Sequence, residues 1–175
     1  MYLILEGSDA VGKTTLIEYL QEKLGWKVLR GSSFELSQCT HQELLQKFTQ
    51  MIFDNKKEDI IFDRFIYSNA VYASLYNDYA ILSSSERFSL EQCYPKGSTI
   101  IYLYADYDTI KERLESRGDD YVKSNKIKPI LKKYNEVLLQ TSDAVKLISF
   151  DTGTMSTEEI GDYIINNIVK ENENQ

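Results

Sequence analysis

Gly7-Ser8-Asp9-Ala10-Val11-Gly12-Lys13-Thr14 matches the pattern G-x-x-x-x-G-K-[ST] without a gap, and it restricts the fold more than any other stretch of the 175 residues. An apolar run, Tyr2–Glu6, precedes it, and Leu16, Ile17, Leu20 and Leu24 follow at helical spacing. That strand–loop–helix setting is the context the motif needs. The physical reading follows from the residue types. Glycines let the backbone curl until successive N–H groups point at phosphate oxygens, and the next helix turns its N-terminus toward the anion. Gly7, Ala10, Val11, Gly12 and Thr15 would frame the phosphates. Lys13 would supply a point charge, and the Thr14 hydroxyl is suited to Mg²⁺. A nucleoside triphosphate site is implied, with ATP the expected ligand.

The rest of the chain fits the same architecture. Four further β-rich runs, Trp26–Arg30, Asp59–Asp63, Thr99–Ala105 and Val145–Phe150, alternate with helical periods, which predicts a parallel sheet built from βαβ units. Helices are predicted over about residues 42–53 and 67–76, after the fourth strand up to Arg117, and from Pro129 onward, where a fixed φ suits a first turn. A polar, Ser-rich stretch lies around Ser83-Ser84-Ser85, a polar segment 119–128 leads into Pro129, and Ser156-Thr157-Glu158-Glu159 reads as a capping box. The size suits one domain over 1–175, with a frayed tail at 170–175. Against 20 Lys plus Arg stand 27 Asp plus Glu, a net charge of −7, so no nucleic-acid or anionic-membrane partner is expected. Cys39 and Cys93 stand far apart, and no signal or membrane-spanning segment is read near Met1, so a cytoplasmic location is expected.

Ile60-Ile61-Phe62 leads into Asp63-Arg64, and ligands in open α/β sheets bind beyond the carboxyl ends of the strands. Asp63 is therefore placed to hold the water shell of a Mg²⁺ shared with Thr14. The Arg64 guanidinium offers a planar fork to a second phosphate.

With these residues in view the sequence resembles the thymidylate kinases, within the nucleoside monophosphate kinases. Leu5 to Thr15 is similar to that family's E-G-x-D-x-x-G-K-[ST]-T loop, and Asp63 to Tyr72 to its D-R-[YF]-x-x-S-x-x-x-Y segment. Arg113-Leu114-Glu115-Ser116-Arg117-Gly118 resembles its helix-to-lid junction, and Tyr134 follows as in the family's next helix. The resemblance implies a three-layer α/β P-loop NTPase fold. Its five-stranded parallel sheet would run in the order 2-3-1-4-5, with helices on both faces and a short lid over about 117–128. It also implies a homodimer. The implied reaction is ATP- and Mg²⁺-dependent phosphorylation of a deoxynucleoside monophosphate, dTMP to dTDP first of all. Lys13, Arg64, Arg113 and Arg117 would carry the charge chemistry, with Arg113 and Arg117 also on ATP. Asp9, Arg30, Phe48, Arg64, Ser68, Asn69 and Tyr72 would meet the monophosphate. Among them Asp9 would contact the sugar 3′-hydroxyl, Ser68 and Asn69 would face the base, and Tyr72 would exclude a 2′-hydroxyl.

The chain also departs from that family. Arg30-Gly31-Ser32-Ser33-Phe34-Glu35 replaces the proline-bearing segment after the second strand. Four residues beyond Phe48 stands Ile52 rather than arginine, and none occurs between Arg30 and Arg64. Two alternatives stay open. A deoxynucleoside kinase would need a carboxylate base, for which Glu35 is the candidate. A non-catalytic nucleotide-binding module would bury Asp9 and Arg64 away from any cleft.

Overall fold

The structure is a computed structural model that describes residues 1–32, 38–76, 79–117 and 124–173. Its five strands are β1 (Tyr2–Glu6), β2 (Lys27–Arg30), β3 (Ile60–Asp63), β4 (Thr99–Tyr104) and β5 (Lys146–Asp151). All neighbours pair in parallel, in the order β2-β3-β1-β4-β5. The expected P-loop fold is thus observed. β1 lies at the centre, and Tyr2, Leu3, Ile4 and Leu5 are wholly buried because both faces of a parallel sheet are covered.

Alternation along the strands separates two cores. Tyr2, Ile4, Ile60, Phe62, Ile100 and Tyr102 point to one face. There they pack under α2 (His41–Asn55), α3 (Ile66–Ala73), α4 (Ser84–Glu91) and α6 (Ser124–Leu138). Leu3, Leu5, Ile61, Ile101 and Leu103 point to the other, under α1 (Lys13–Leu24), α5 (Tyr107–Arg117) and α7 (Thr157–Ile164). Past α7 a π-helical segment, Ile165–Val169, leads into α8 (Lys170–Glu173). Among the described residues no helix is long and apolar enough to cross a membrane.

Two helices add to the sequence reading. The serine-rich stretch starts a helix, α4, because Ser83 and Glu86 form a reciprocal capping box that satisfies its first N–H groups. Its Glu86 also meets His41 at the start of α2, at 3.0 Å. Helix α6 begins at Ser124, so Pro129 lies inside it rather than in its first turn. Ile127, two residues upstream of the proline, is buried in the second core and rewards that longer helix. Of the expected lid over 117–128, residues 118–123 lie outside the described residues, and 124–128 belong to α6.

Candidate active site

Three strand ends converge at the carboxyl edge of the sheet. β1 runs into the phosphate loop, β3 ends on Asp63, and β2 ends on Arg30, which pairs in register with Asp63. The loop turns tightly. A Cβ on Gly7 would lie 2.3 Å from the Leu103 carbonyl oxygen, while Gly12 (φ 85°) caps α1 and Ala10 sits at φ 61°. A non-glycine residue at positive φ is uncommon, and such strain gathers at binding loops.

Lys13 opens α1 and lies almost wholly buried, with its ammonium donating to the carbonyls of Gly7 (3.0 Å) and Ser8 (2.6 Å). Burial, reinforced by the neighbouring Arg64 charge, pushes its pKa down to about 7. Thr14 and Thr15 follow it and are exposed.

Arg64 is the centre of the second cluster. It too has positive φ, 62°, and its N–H donates to the Leu5 carbonyl at 3.0 Å. The guanidinium turns back to the loop. Nη1 donates to the Gly7 carbonyl (2.8 Å) and to the Tyr134 hydroxyl (3.0 Å), and Nη2 to Asp9 Oδ1 (2.8 Å). Tyr72 donates to the other Asp9 oxygen at 2.9 Å, and its ring lies 5.1 Å from the Arg64 guanidinium carbon. Burial alone would raise the Asp9 carboxyl. The Arg64 and Lys13 charges and the bond from Tyr72 outweigh it, so the pKa lies below the ordinary value. Asp9 is an anion held between two cations.

On the opposite side of the loop is a cavity of about 290 Å³, lined by Ala10, Val11, Gly12, Arg113, Arg117 and Met155 among others. Arg113 is fixed there by bonds to Thr152 Oγ1 (3.0 Å), Thr152 O (2.6 Å) and Ala10 O (3.3 Å), whereas Arg117 is exposed. Phosphate loop and cavity together offer what a nucleoside triphosphate needs, a cationic cradle next to a slot for a base. The exposed Thr14 hydroxyl and the half-buried Asp63 carboxylate are hard oxygen donors, few in number, and suit a Mg²⁺ that keeps several waters.

Three expectations for this region are corrected. Phe48 is wholly buried and packs edge-on against Phe65, centroids 5.2 Å apart, because α2 turns its apolar stripe into the first core. Asn69 does not face a base either; its amide donates to the Ala80 carbonyl (2.9 Å) and its carbonyl accepts from Leu82 N–H (3.4 Å), bridging to the segment before α4. Ser68 is buried, and its hydroxyl bonds Glu6 and meets the Tyr134 hydroxyl at 2.8 Å. Glu6 and Tyr134 are members of the cluster that residue-type reasoning passed over. The available signals were an acid closing an otherwise apolar strand and a tyrosine on the buried face of α6. The possible base Glu35 lies outside the described residues.

Comparison with known proteins bears on this site. A family model described as deoxynucleoside kinase matches residues 31–172. The SPbeta prophage-derived uncharacterized protein YorR of Bacillus subtilis (strain 168) is 36% identical over 163 residues, 93% of this chain and 96% of its own. The probable thymidylate kinase of Methanocaldococcus jannaschii is 27% identical, covering 94% of each chain. Among solved structures, the B. subtilis YorR protein in complex with phosphorylated GDP superposes with a TM-score of 0.89, covering 99% of this chain and 98% of that one. The deoxyadenosine kinase of M. mycoides with bound dATP shares the fold, with a TM-score of 0.66 at 16% identity over 97% of this chain and all of that one.

Proposed function

The chain belongs to the deoxynucleoside kinase family of nucleoside and nucleotide kinases, and on that premise we propose that it transfers the γ-phosphoryl group of ATP to a deoxynucleoside monophosphate, dTMP first. The observation that supports a phosphorylated acceptor is the placing of Arg64. A half-buried guanidinium at the end of β3, bonded to the phosphate loop itself, offers a planar fork on the side of the loop where a second phosphate would approach the first.

In this reading the loop from Gly7 to Thr15 holds the donor phosphates. Lys13 leaves the Gly7 and Ser8 carbonyls for the β and γ oxygens, Arg113 and Arg117 flank the base, and Arg117 closes toward the transferring group. Arg64, with Arg30 beside Asp63, receives the acceptor phosphate. Asp9, freed from Arg64, accepts the sugar 3′-hydroxyl, and the Tyr72 ring closes the space a 2′-hydroxyl would take. An acceptor phosphate oxygen then forms a bond to the γ phosphorus as the bond to the β-bridging oxygen breaks, giving two diphosphates. The attacking oxygen is already an anion, so no general base is needed, and catalysis is positioning plus charge neutralisation. Thr14 and Asp63 would hold Mg²⁺, which supplies charge compensation to the β and γ oxygens when bound.

A second reading, transfer to a nucleoside 5′-hydroxyl, is favoured by the family model itself and would need Glu35 as base. One coupled ADP-release screen separates the two. It covers the four deoxynucleoside monophosphates, the four deoxynucleosides and the ribonucleotides, and the guanine nucleotide held by YorR makes dGMP a required member. Turnover of dTMP supports the first reading. Turnover of nucleosides alone, abolished by Glu35→Ala, supports the second, and no diphosphate from any monophosphate sinks the first.

A further inference from the structure

The chemistry above uses Arg64 and gives no work to Glu6, yet Glu6 is the side chain least suited to its surroundings. It closes the most buried strand of the sheet and is itself wholly buried. Four donors converge on its carboxylate. Oε1 accepts from the backbone N–H of Phe65 (2.7 Å) and of Ser68 (3.2 Å), and Oε2 accepts from the hydroxyls of Ser68 and of Tyr134 (3.3 Å). Burial raises its pKa, against the pull of the Ser68 bond and the Arg64 charge. A residue there for packing alone would be apolar, like the four before it, since an uncompensated buried carboxylate is strongly unfavourable.

The donors explain the choice, because each is tied to Arg64. Phe65 and Ser68 begin α3, so their N–H bonds to Glu6 fix the backbone immediately after Arg64, whose φ of 62° an L side chain rarely adopts. The Ser68 and Tyr134 hydroxyls reach the guanidinium itself, at 3.5 and 3.0 Å from Nη1. We propose that Glu6 is the positioning residue for Arg64, setting its backbone through Phe65 and Ser68 and its guanidinium through Ser68 and Tyr134. This rests on Arg64 being the acceptor-phosphate ligand. Two carboxylates then divide the work around one cation. Asp9, half-exposed at 38%, can leave Arg64 for the sugar, while the buried Glu6 stays behind and keeps the guanidinium aimed.

The test uses the full chain with Glu6→Gln, Ser68→Ala and Tyr134→Phe. The side-chain ¹⁵N resonances of Arg64, assigned with Arg64→Lys, report guanidinium immobilisation whatever the substrate. Slow guanidinium rotation in the parent is expected, with fast rotation in Glu6→Gln and an intermediate rate in Tyr134→Phe. In steady state, the acceptor KM should rise about tenfold or more in Glu6→Gln while the ATP KM stays within about twofold. Unchanged Arg64 resonances in folded Glu6→Gln, or equal changes in both KM values, would overturn the proposal. Should Glu6→Gln fail to fold, Tyr134→Phe and Ser68→Ala decide by the same criteria. Should the parent phosphorylate no nucleotide, the functional reading fails while the Arg64 resonances still decide this one.

Discussion

The two sides of the phosphate loop are built by different means. On the Arg64 side, Glu6, Asp9, Ser68, Tyr72 and Tyr134 satisfy one another through a continuous set of hydrogen bonds, most of them buried. On the cavity side, Arg113 is fixed by Thr152 and the Ala10 carbonyl, and Arg117 is open to solvent. In the loop between them, the Gly7 carbonyl oxygen accepts from Lys13 and Arg64. The difference teaches where discrimination can reside. A network of mutually satisfied buried groups holds its shape before a ligand arrives and rejects ligands that leave a member unpaired. An open slot closed by an exposed arginine tolerates more variation in what fills it.

Lys13 belongs to both sides, and its loss should have the largest effect. Lys13→Ala is expected to lower kcat by about 10³-fold or more, because one preorganised charge at the transferring phosphoryl is worth several kcal/mol. Single-turnover assays would check this; a tenfold loss would place the main charge elsewhere. Arg64→Ala should come next, with the acceptor kcat/KM falling by about 10²-fold and ATP affinity nearly unchanged, as isothermal titration would read. Equal damage to both ligands would mean that the two sides are not separately built.

What the sequence made legible follows the same division. The phosphate loop and the five strands are written locally in glycine spacing and period, so Gly7 to Thr14 and the strands could be read directly, whereas the strand order was implied by the family resemblance. Side-chain direction is set by what packs above a helix, which local pattern does not carry. Phe48 and Asn69 were therefore expected at the base and found serving the core and the segment before α4. Glu6 shows the converse, since only its burial between β1 and α3 reveals that a loop-motif glutamate acts on Arg64.

Tyr72 tests the rigid side at its rim. Tyr72→Ala should lower the preference for deoxy- over ribonucleotides by roughly 10- to 100-fold, read as a ratio of kcat/KM values. Unchanged preference would reduce its ring to packing. Asn69→Ala should act on stability instead, lowering it by about 1–2 kcal/mol in chemical denaturation, since it leaves the Ala80 carbonyl and Leu82 N–H unpaired. A changed base preference at unchanged stability would restore Asn69 to the base.

The smallest effect is a proton count. Lys13 has a pKa near 7 in the folded protein against 10.5 as the ordinary value. Between those values the unfolded chain binds the extra proton, so this group's contribution makes the folded state more stable as pH rises from about 7 toward 10.5, and its dependence vanishes below about 7 where both states are charged. Triphosphate reverses the balance by favouring the ammonium. ATP binding at pH 8 to 9 should therefore take up close to one proton through Lys13, and almost none through it at pH 6. Titration calorimetry in two buffers of different ionisation enthalpy measures that uptake, and comparing parent with Lys13→Met isolates the share belonging to this residue. Equal uptake in the two would move the titrating group off the phosphate loop. Uptake confined to the parent would show that the Gly7 carbonyl surrenders the lysine as a nucleotide recharges it.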